Sequence, residues 1–215
     1  MDNYAIQEDG SPEASLKERI LLSAIDEFSR RGYSAASTNT IVSMAGTSKG
    51  LLFHYYGNKE ELFLECAGYV VEKMVQYVKE RLHFNSSDIF SRFRQSLELK
   101  MCFYRDHPTY AGLVSAMWYS EEFPSKIEEH IRKHIGHALD FYTPPIFDDA
   151  DLSKLSDGTD IRRVIGYAGM LLDACWLRFS GKYGNDIYLI GEHTDEFLSE
   201  ADFILNLFIH GAYSQ

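Results

Sequence analysis

The sequence predicts an all-α protein. Apolar residues recur at three- and four-residue steps along most of the chain. No convincing run alternates apolar and polar residues as a half-buried strand does. The five prolines (Pro12, Pro108, Pro124, Pro144 and Pro145) fall near breaks in the helical pattern. The start and stop signals then predict a three-helix head on a larger helical body.

Residues 1–12 are polar, contain Gly10 and Pro12, and read as a flexible tail. The first helix is expected over 13–31. Ile20, Ala24 and Phe28 repeat at four-residue steps, with Leu16, Leu21 and Ile25 widening the stripe. Gly32, following Arg30 and Arg31, ends it. Ser37 caps a short second helix to about Ala45, and Gly46 makes the turn. Ser48 caps a third short helix through Tyr55 or Tyr56, and Gly57 breaks it. Asn58 caps a long fourth helix whose Glu60 and Glu61 suit its N-terminal dipole. Further helices are expected at 87–106, 108–119, 124–142, 159–180 and 194–211. The Pro-, Asp- and Ser-rich run from Thr143 to Gly158 is a loop, and Gly181, Gly184 and Asn185 mark a turn.

Composition narrows the class. Of 215 residues, 45% are hydrophobic and 25% charged, and the 14 Phe, 14 Tyr and 2 Trp exclude a wholly disordered chain. Three widely spaced cysteines (Cys66, Cys102 and Cys175) exclude a disulfide scaffold and predict a reducing, cytoplasmic compartment. The most apolar stretch, Ile161 to Phe179, is interrupted by Arg162, Arg163, Asp173 and Arg178, so no membrane span is expected. The first residues have neither a basic start nor an apolar core, so no signal peptide is expected. Net charge is −11, but it is uneven. Residues 13–60 are near neutral, while the remainder is acidic, which suggests two jobs in one chain.

The two short helices at 37–45 and 48–56 match a helix-turn-helix. Ile41 and Val42 brace the unit, Ala45 permits close packing, and Gly46 permits the tight turn. Lys49, His54 and Tyr55 are suited to reach phosphates and base edges from the second helix. The run from Gly32 to Leu62, GYSAASTNTIVSMAGTSKGLLFHYYGNKEEL, resembles the DNA-binding head of TetR-type transcriptional regulators. The likeness begins at Arg19 and includes Ala24, Phe28, Gly32-Tyr33, Ile41, Ala45-Gly46, Ser48, Gly50, Leu52, Tyr56 and Lys59-Glu60-Glu61-Leu62. Beyond Leu62 only length and helical character agree.

The resemblance implies roles. Ser37 and Thr38 touch backbone phosphate, and Ser48 caps the recognition helix facing phosphate. Lys49 reaches into the major groove, with guanine its natural partner. Gly50 allows close approach to DNA, and Leu51 packs on a thymine methyl. His54 and Tyr55 contact phosphate or base edges, and Lys59 resembles the family's phosphate-binding lysine. Two positions depart from the pattern. Phe53 replaces the usual Tyr, removing one phenolic hydrogen bond to phosphate, worth roughly 1.5–3 kcal/mol. Thr47 replaces the usual Val at the turn.

The resemblance divides the chain into a DNA-binding domain at 13–57 and a ligand-sensing and dimerisation domain at 58–215. The helices at 159–180 and 194–211 carry broad apolar arcs, and similar proteins use their last two helices as a four-helix dimer interface. Met101, Tyr104, Met117, Trp118, Asp173 and Trp176 are the expected lining of a small-molecule site. The expected partners are double-stranded DNA bearing a palindromic operator, a small-molecule effector and a second copy of the chain, with no cofactor, metal, membrane or catalysis. The expected function is a ligand-responsive repressor. Two alternatives stand beside it. One is a helical small-molecule-binding protein whose head is silent. The other is a metal-binding helical enzyme using His130, His134 and His137, which share a helix face; a solvated surface is the plainer reading of that trio.

Overall fold

The computed structural model of the chain describes residues 12–119, 129, 146–183 and 187–212, and every regular element within them is helical. The elements are α1 (Pro12–Ala35), α2 (Thr38–Met44), α3 (Lys49–Tyr56), α4 (Lys59–Arg81) and α5 (Ile89–Asp106). After these come α6 (Pro108–Tyr119), α7 (Ile161–Lys182), α8 (Ile187–Glu192) and α9 (Thr194–Ala212). None is long and apolar enough to cross a membrane. The helix expected at 124–142, with His130, His134 and His137, lies outside the described residues.

Local chemistry explains the boundaries. Pro12, whose missing N–H costs nothing in a first turn, opens α1. Gly32 interrupts that helix at φ 68, where a side chain would be strained, so the regular part ends at Arg31 as expected. Ser37, Ser48, Asn58, Asp88 and Asp160 each accept a backbone N–H at a helix start. Two differences from the sequence reading lie near residue 181. α7 continues through Gly181 to Lys182, closed by the Tyr183 N–H donating to the Ser180 carbonyl at 3.2 Å. The six-residue α8 is also new, being too short for apolar periodicity to reveal.

Packing joins head to body. Ile20, Ala24, Ile25 and Phe28 of α1 are buried. The Phe28 ring meets Phe63 of α4 edge-on at 5.0 Å, and Tyr33 meets Phe63 at 5.2 Å. The α4 stripe Leu62, Cys66, Val70, Met74 and Val78 is buried along its whole length. Its first half packs against α1 and its second against α5 and α6. α1 also lies along α6. A single apolar cluster therefore runs from Ile41 and Leu52 in the head to Tyr104, Trp176 and Phe197 in the body. α7 and α9 pack together through Ala168, Leu172, Ala201, Ile204 and Leu205.

A buried arginine organises the far end. Arg92 of α5 is 7% exposed, and no carboxylate pairs with it among the described residues. Its Nε donates to the Ser86 carbonyl at 2.8 Å and its Nη2 to the Asp149 carbonyl at 3.1 Å. Nη1 serves the carbonyls of Ile146 and Asp148, and the guanidinium lies 4.8 Å from the Phe84 ring. One fork of donors thus pins the 146–149 segment to the α4–α5 link. Replacing Arg92 by Leu would leave these carbonyls without their donors. The expected loss is about 3 kcal/mol of unfolding free energy. A denaturation midpoint that does not move would show that the segment is held by other means.

Candidate nucleic-acid interface

The head builds a reading surface from a braced helix. In α3, Leu52 and Tyr56 are buried, while Lys49, Gly50, Leu51, Phe53 and His54 are exposed. The Tyr56 hydroxyl donates to the Lys17 carbonyl of α1 at 2.7 Å, and burial raises its phenol well above the usual tyrosine range. This bond fixes the C-terminal end of α3 against α1. At the other end Ser48 Oγ accepts the Leu51 N–H at 3.4 Å, and exposed Lys49 follows directly. The α2–α3 turn is held by Gly46 at φ 63 and by the Thr47 N–H donating to the Val42 carbonyl at 2.9 Å. The Thr47 hydroxyl is buried and finds no hydrogen-bond partner among the described residues, a cost that valine would not incur.

The expected contacts fall in three groups. Ser48, Lys49, Gly50, Leu51 and His54 are exposed together on and just before α3. An added Cβ at Gly50 would meet nothing nearer than Ser48 Oγ at 3.8 Å, so the chain's own packing does not demand glycine there. Leu51 is 40% and Phe53 39% exposed, an uncommon outlay of apolar surface on one short helix. Ser37 and Thr38 form a second group at the start of α2, both half-buried, with Ser37 Oγ accepting the Thr40 N–H at 3.4 Å. Tyr55 and Lys59 are the third group, turned partly inward. Tyr55 packs on the head core with its ring 5.5 Å from His54. Lys59 is half-buried; its Nζ donates to the Ser34 carbonyl at 3.2 Å and lies 5.0 Å from the Tyr33 ring centre.

The neighbour of Lys59 was not legible as a functional residue. Glu27 of α1 is 7% exposed, and its Oε1 accepts the Ser37 N–H at 2.9 Å. Burial lowers the Lys59 ammonium from the usual lysine range, and the Glu27 carboxylate opposes that shift. Glu27 thus supports the start of α2 and offsets the charge of Lys59. In the sequence it was one acidic residue among several in an amphipathic helix, and its burial depends on the α1–α2 link folding over it.

Of the expected small-molecule site, Met101, Tyr104, Met117 and Trp176 lie buried in the core. The Tyr104 and Trp176 rings are 5.2 Å apart, and Trp176 meets Phe197 edge-on at 5.2 Å. Trp118 belongs to α6, but its side chain is outside the described residues. Asp173 is half-buried. Burial raises its carboxyl and Lys100 of α5 lowers it; conversely, burial lowers Lys100 and Asp173 raises it.

Comparison with known proteins bears on this geometry. The family model described as bacterial regulatory proteins, tetR family, matches residues 20–66. The HTH-type transcriptional repressor NicS of Pseudomonas putida is 21% identical over 198 residues, covering 91% of each chain. The HTH-type transcriptional repressor SCO4008 of Streptomyces coelicolor is 30% identical over 144 residues, covering 65% of this chain and 70% of that protein. Among solved structures, a TetR family regulator from Chloroflexus aurantiacus superposes with a TM-score of 0.65 at 15% identity, covering 96% of each chain. The regulator FadR from Bacillus subtilis, solved in complex with stearoyl-CoA, gives 0.64 at 12% identity over 90% of this chain and 98% of its own. At such identities the structures establish a shared fold.

Two outcomes follow from the head. Gly50→Ala should raise stability by up to about 0.5 kcal/mol, because alanine loses less backbone entropy than glycine even in the first helical turn and no neighbour is in the way. The same change should weaken DNA binding; unchanged operator affinity would show that no DNA group approaches this backbone. Glu27→Gln keeps an oxygen for the Ser37 N–H but removes the charge that offsets Lys59. The plot of log affinity against log salt should then steepen by up to about 0.9, the contribution of one further phosphate contact. A slope equal to that of the parent would place the Lys59 charge outside the DNA field.

Proposed function

The chain belongs to the TetR family of bacterial regulatory proteins, a family of transcriptional regulators and not of enzymes. On that premise we propose that it is a dimeric repressor that holds a palindromic operator and leaves it when a small molecule occupies the helical body. In this reading residues 13–57 are the DNA-binding domain and 58–215 sense the ligand and dimerise. One observation carries it: α3 is fastened at both ends and presents Ser48, Lys49, Gly50, Leu51 and His54 outward. Lys49 reads a base edge in the major groove, while Ser37, Thr38, Ser48 and His54 set the register on phosphates. Tyr55 and Lys59 act from behind, Lys59 through the α1–α2 link as much as through phosphate.

A second copy of the chain is the natural cover for the face formed by α7 and α9. Tyr167, Met170, Leu171 and Leu177 of α7 are 44–68% exposed, and Phe203 and Leu207 of α9 are 63% and 60% exposed. A lone monomer seldom leaves so much contiguous apolar surface in water. Twofold pairing there suits two half-sites about 34–36 Å apart. The effector is expected around Met101, Tyr104, Met117, Trp118 and Trp176, with Asp173 and Lys100 offering one charge of each sign. Its uptake tilts α4, and only Gly57 and Asn58 separate α4 from α3, so the spacing of the two α3 helices changes.

Fluorescence anisotropy on DNA from upstream of the protein's own gene, with scrambled competitor at two salt concentrations, tests the reading. Nanomolar binding that survives competitor and weakens with salt is expected. Binding that scrambled DNA abolishes, followed by failure of a genome-wide DNA selection, would favour a small-molecule-binding protein with a silent head. In the same assay Met170→Glu should give a monomer by light scattering, an unchanged helical circular dichroism spectrum and at least tenfold weaker operator binding. A dimer that persists would move the interface away from α7.

A further inference from the structure

A cleft of about 670 Å³ opens where head and body meet, away from the residues assigned above to DNA, dimer or effector. α1 supplies Glu18, Leu22, Ile25 and Asp26 to one wall. α4 supplies Tyr69, Lys73, Tyr77 and Arg81, and the α5–α6 turn supplies Phe103, His107 and Tyr110. Its volume falls in the range of small-molecule sites.

The chemistry of the walls is specific. His107 lies nearly parallel to Tyr110, with ring centres 5.5 Å apart at 25°, and Phe103 stands 4.9 Å from His107. Tyr77 closes the box edge-on to both Phe103 and His107, at 5.4 and 6.0 Å. Within this box Nδ1 of His107 is buried and has no hydrogen-bond partner among the described residues. A buried acceptor left in that state costs free energy that a ligand donor would recover. The lining charges are largely balanced by the chain itself. Asp26 pairs with Arg30 at 2.9 Å and Glu80 with Arg81 at 3.4 Å. Glu18 and Lys73 remain, one carboxylate and one ammonium, so the cleft has no net demand for a charged ligand.

We propose that this cleft binds a neutral hydroxylated aromatic compound, its ring beside His107 and Tyr110, and that the His107 imidazole turns about its Cβ–Cγ bond on binding so that Nδ1, enclosed in the unliganded chain, accepts the compound's hydroxyl. Burial lowers the imidazole from the usual histidine range; Arg81 lowers it further and Asp106 opposes. The ring is therefore neutral near pH 7 and can accept at Nδ1 with its proton on Nε2. An occupant touches α1 of the head and α4 and the α5–α6 turn of the body at once, a position from which it bears on the head directly.

The test is a fluorescence titration of the full chain without DNA, with 2-naphthol as probe and naphthalene as the ring lacking the donor. Saturable binding of 2-naphthol is expected, about tenfold tighter than naphthalene. His107→Phe retains the aromatic wall and should erase that preference, so that both compounds bind alike. Thr109→Trp, at a partly exposed position lining the cleft, should block 2-naphthol while leaving the circular dichroism spectrum unchanged, which keeps the test decisive if the His107 variant fails to fold. Trp176→Phe, in the body core, should leave binding unaltered. Equal affinity of the parent for the two compounds would overturn the proposal. So would loss of 2-naphthol binding in the Trp176 variant with retention in the other two. Because no operator enters the measurement, its result is separate from that of the DNA-binding reading.

Discussion

The apolar stripe of α4 is the constraint on which the rest of the molecule depends. Leu62, Cys66, Val70, Met74 and Val78 recur every four residues and are all buried. One helix cannot bury a stripe of that length against one small partner. Its first turns therefore pack on α1, where Phe63 completes the aromatic contact with Phe28 and Tyr33. Its last turns pack on α5 and α6, where Tyr77 meets Phe103. With α1 also lying along α6, three helices form a closed arrangement at the junction. α2 and α3 hang from it through the Glu27–Ser37 and Tyr56–Lys17 bonds.

Several polar groups inside this apolar frame, among the described residues, are tied to an orientation. Glu27 fixes the start of α2, Arg92 fixes the segment after residue 145, and Ser180 returns its hydroxyl to the Trp176 carbonyl at 2.6 Å. Such groups add little net stability, since each has lost its water, but each penalises alternative packings that would leave it unsatisfied. The Glu27 carboxylate acts on the Lys59 ammonium through space, favouring its charged form, so part of the head's charge is balanced within the chain. Exposed cations remain on the head, and Lys49 at the start of α3 is the one on the proposed DNA-reading face.

Much of the fold was legible because its signals are local. Ser37, Ser48 and Asn58 announce their helices by their own side chains, Gly46 announces a turn, and the α6 bounds of 108–119 follow from Pro108. The α3 face was legible for the same reason, since Leu52 and Tyr56 mark the inward stripe and leave Lys49, Gly50, Leu51, Phe53 and His54 outside. What sequence reasoning missed is tertiary. Glu27 and Arg92 read as ordinary surface charges until distant segments fold over them. α8 is too brief for periodicity to expose. Lys59, placed among phosphate ligands by resemblance, feels the field of a carboxylate 32 residues earlier in the sequence. His107 drew no notice, because nothing in a linear sequence marks an imidazole nitrogen that folding will bury without a partner.

The unbroken core has a consequence for how such a protein can be rebuilt. Its head does not end in a linker. The cluster that holds Ile41 and Leu52 is the same one that holds Trp176 and Phe197. The three-helix head, cut out after Gly57, would expose the underside of α1, which now rests on α4 and α6. Exchange of heads between such proteins is thus a problem of matching surfaces, not of choosing a cut site. A chimaera keeps its shape only when the transplanted α1 arrives with an α4 and an α6 shaped to receive it, so the module that recombination can shuffle intact is larger than the one that touches DNA.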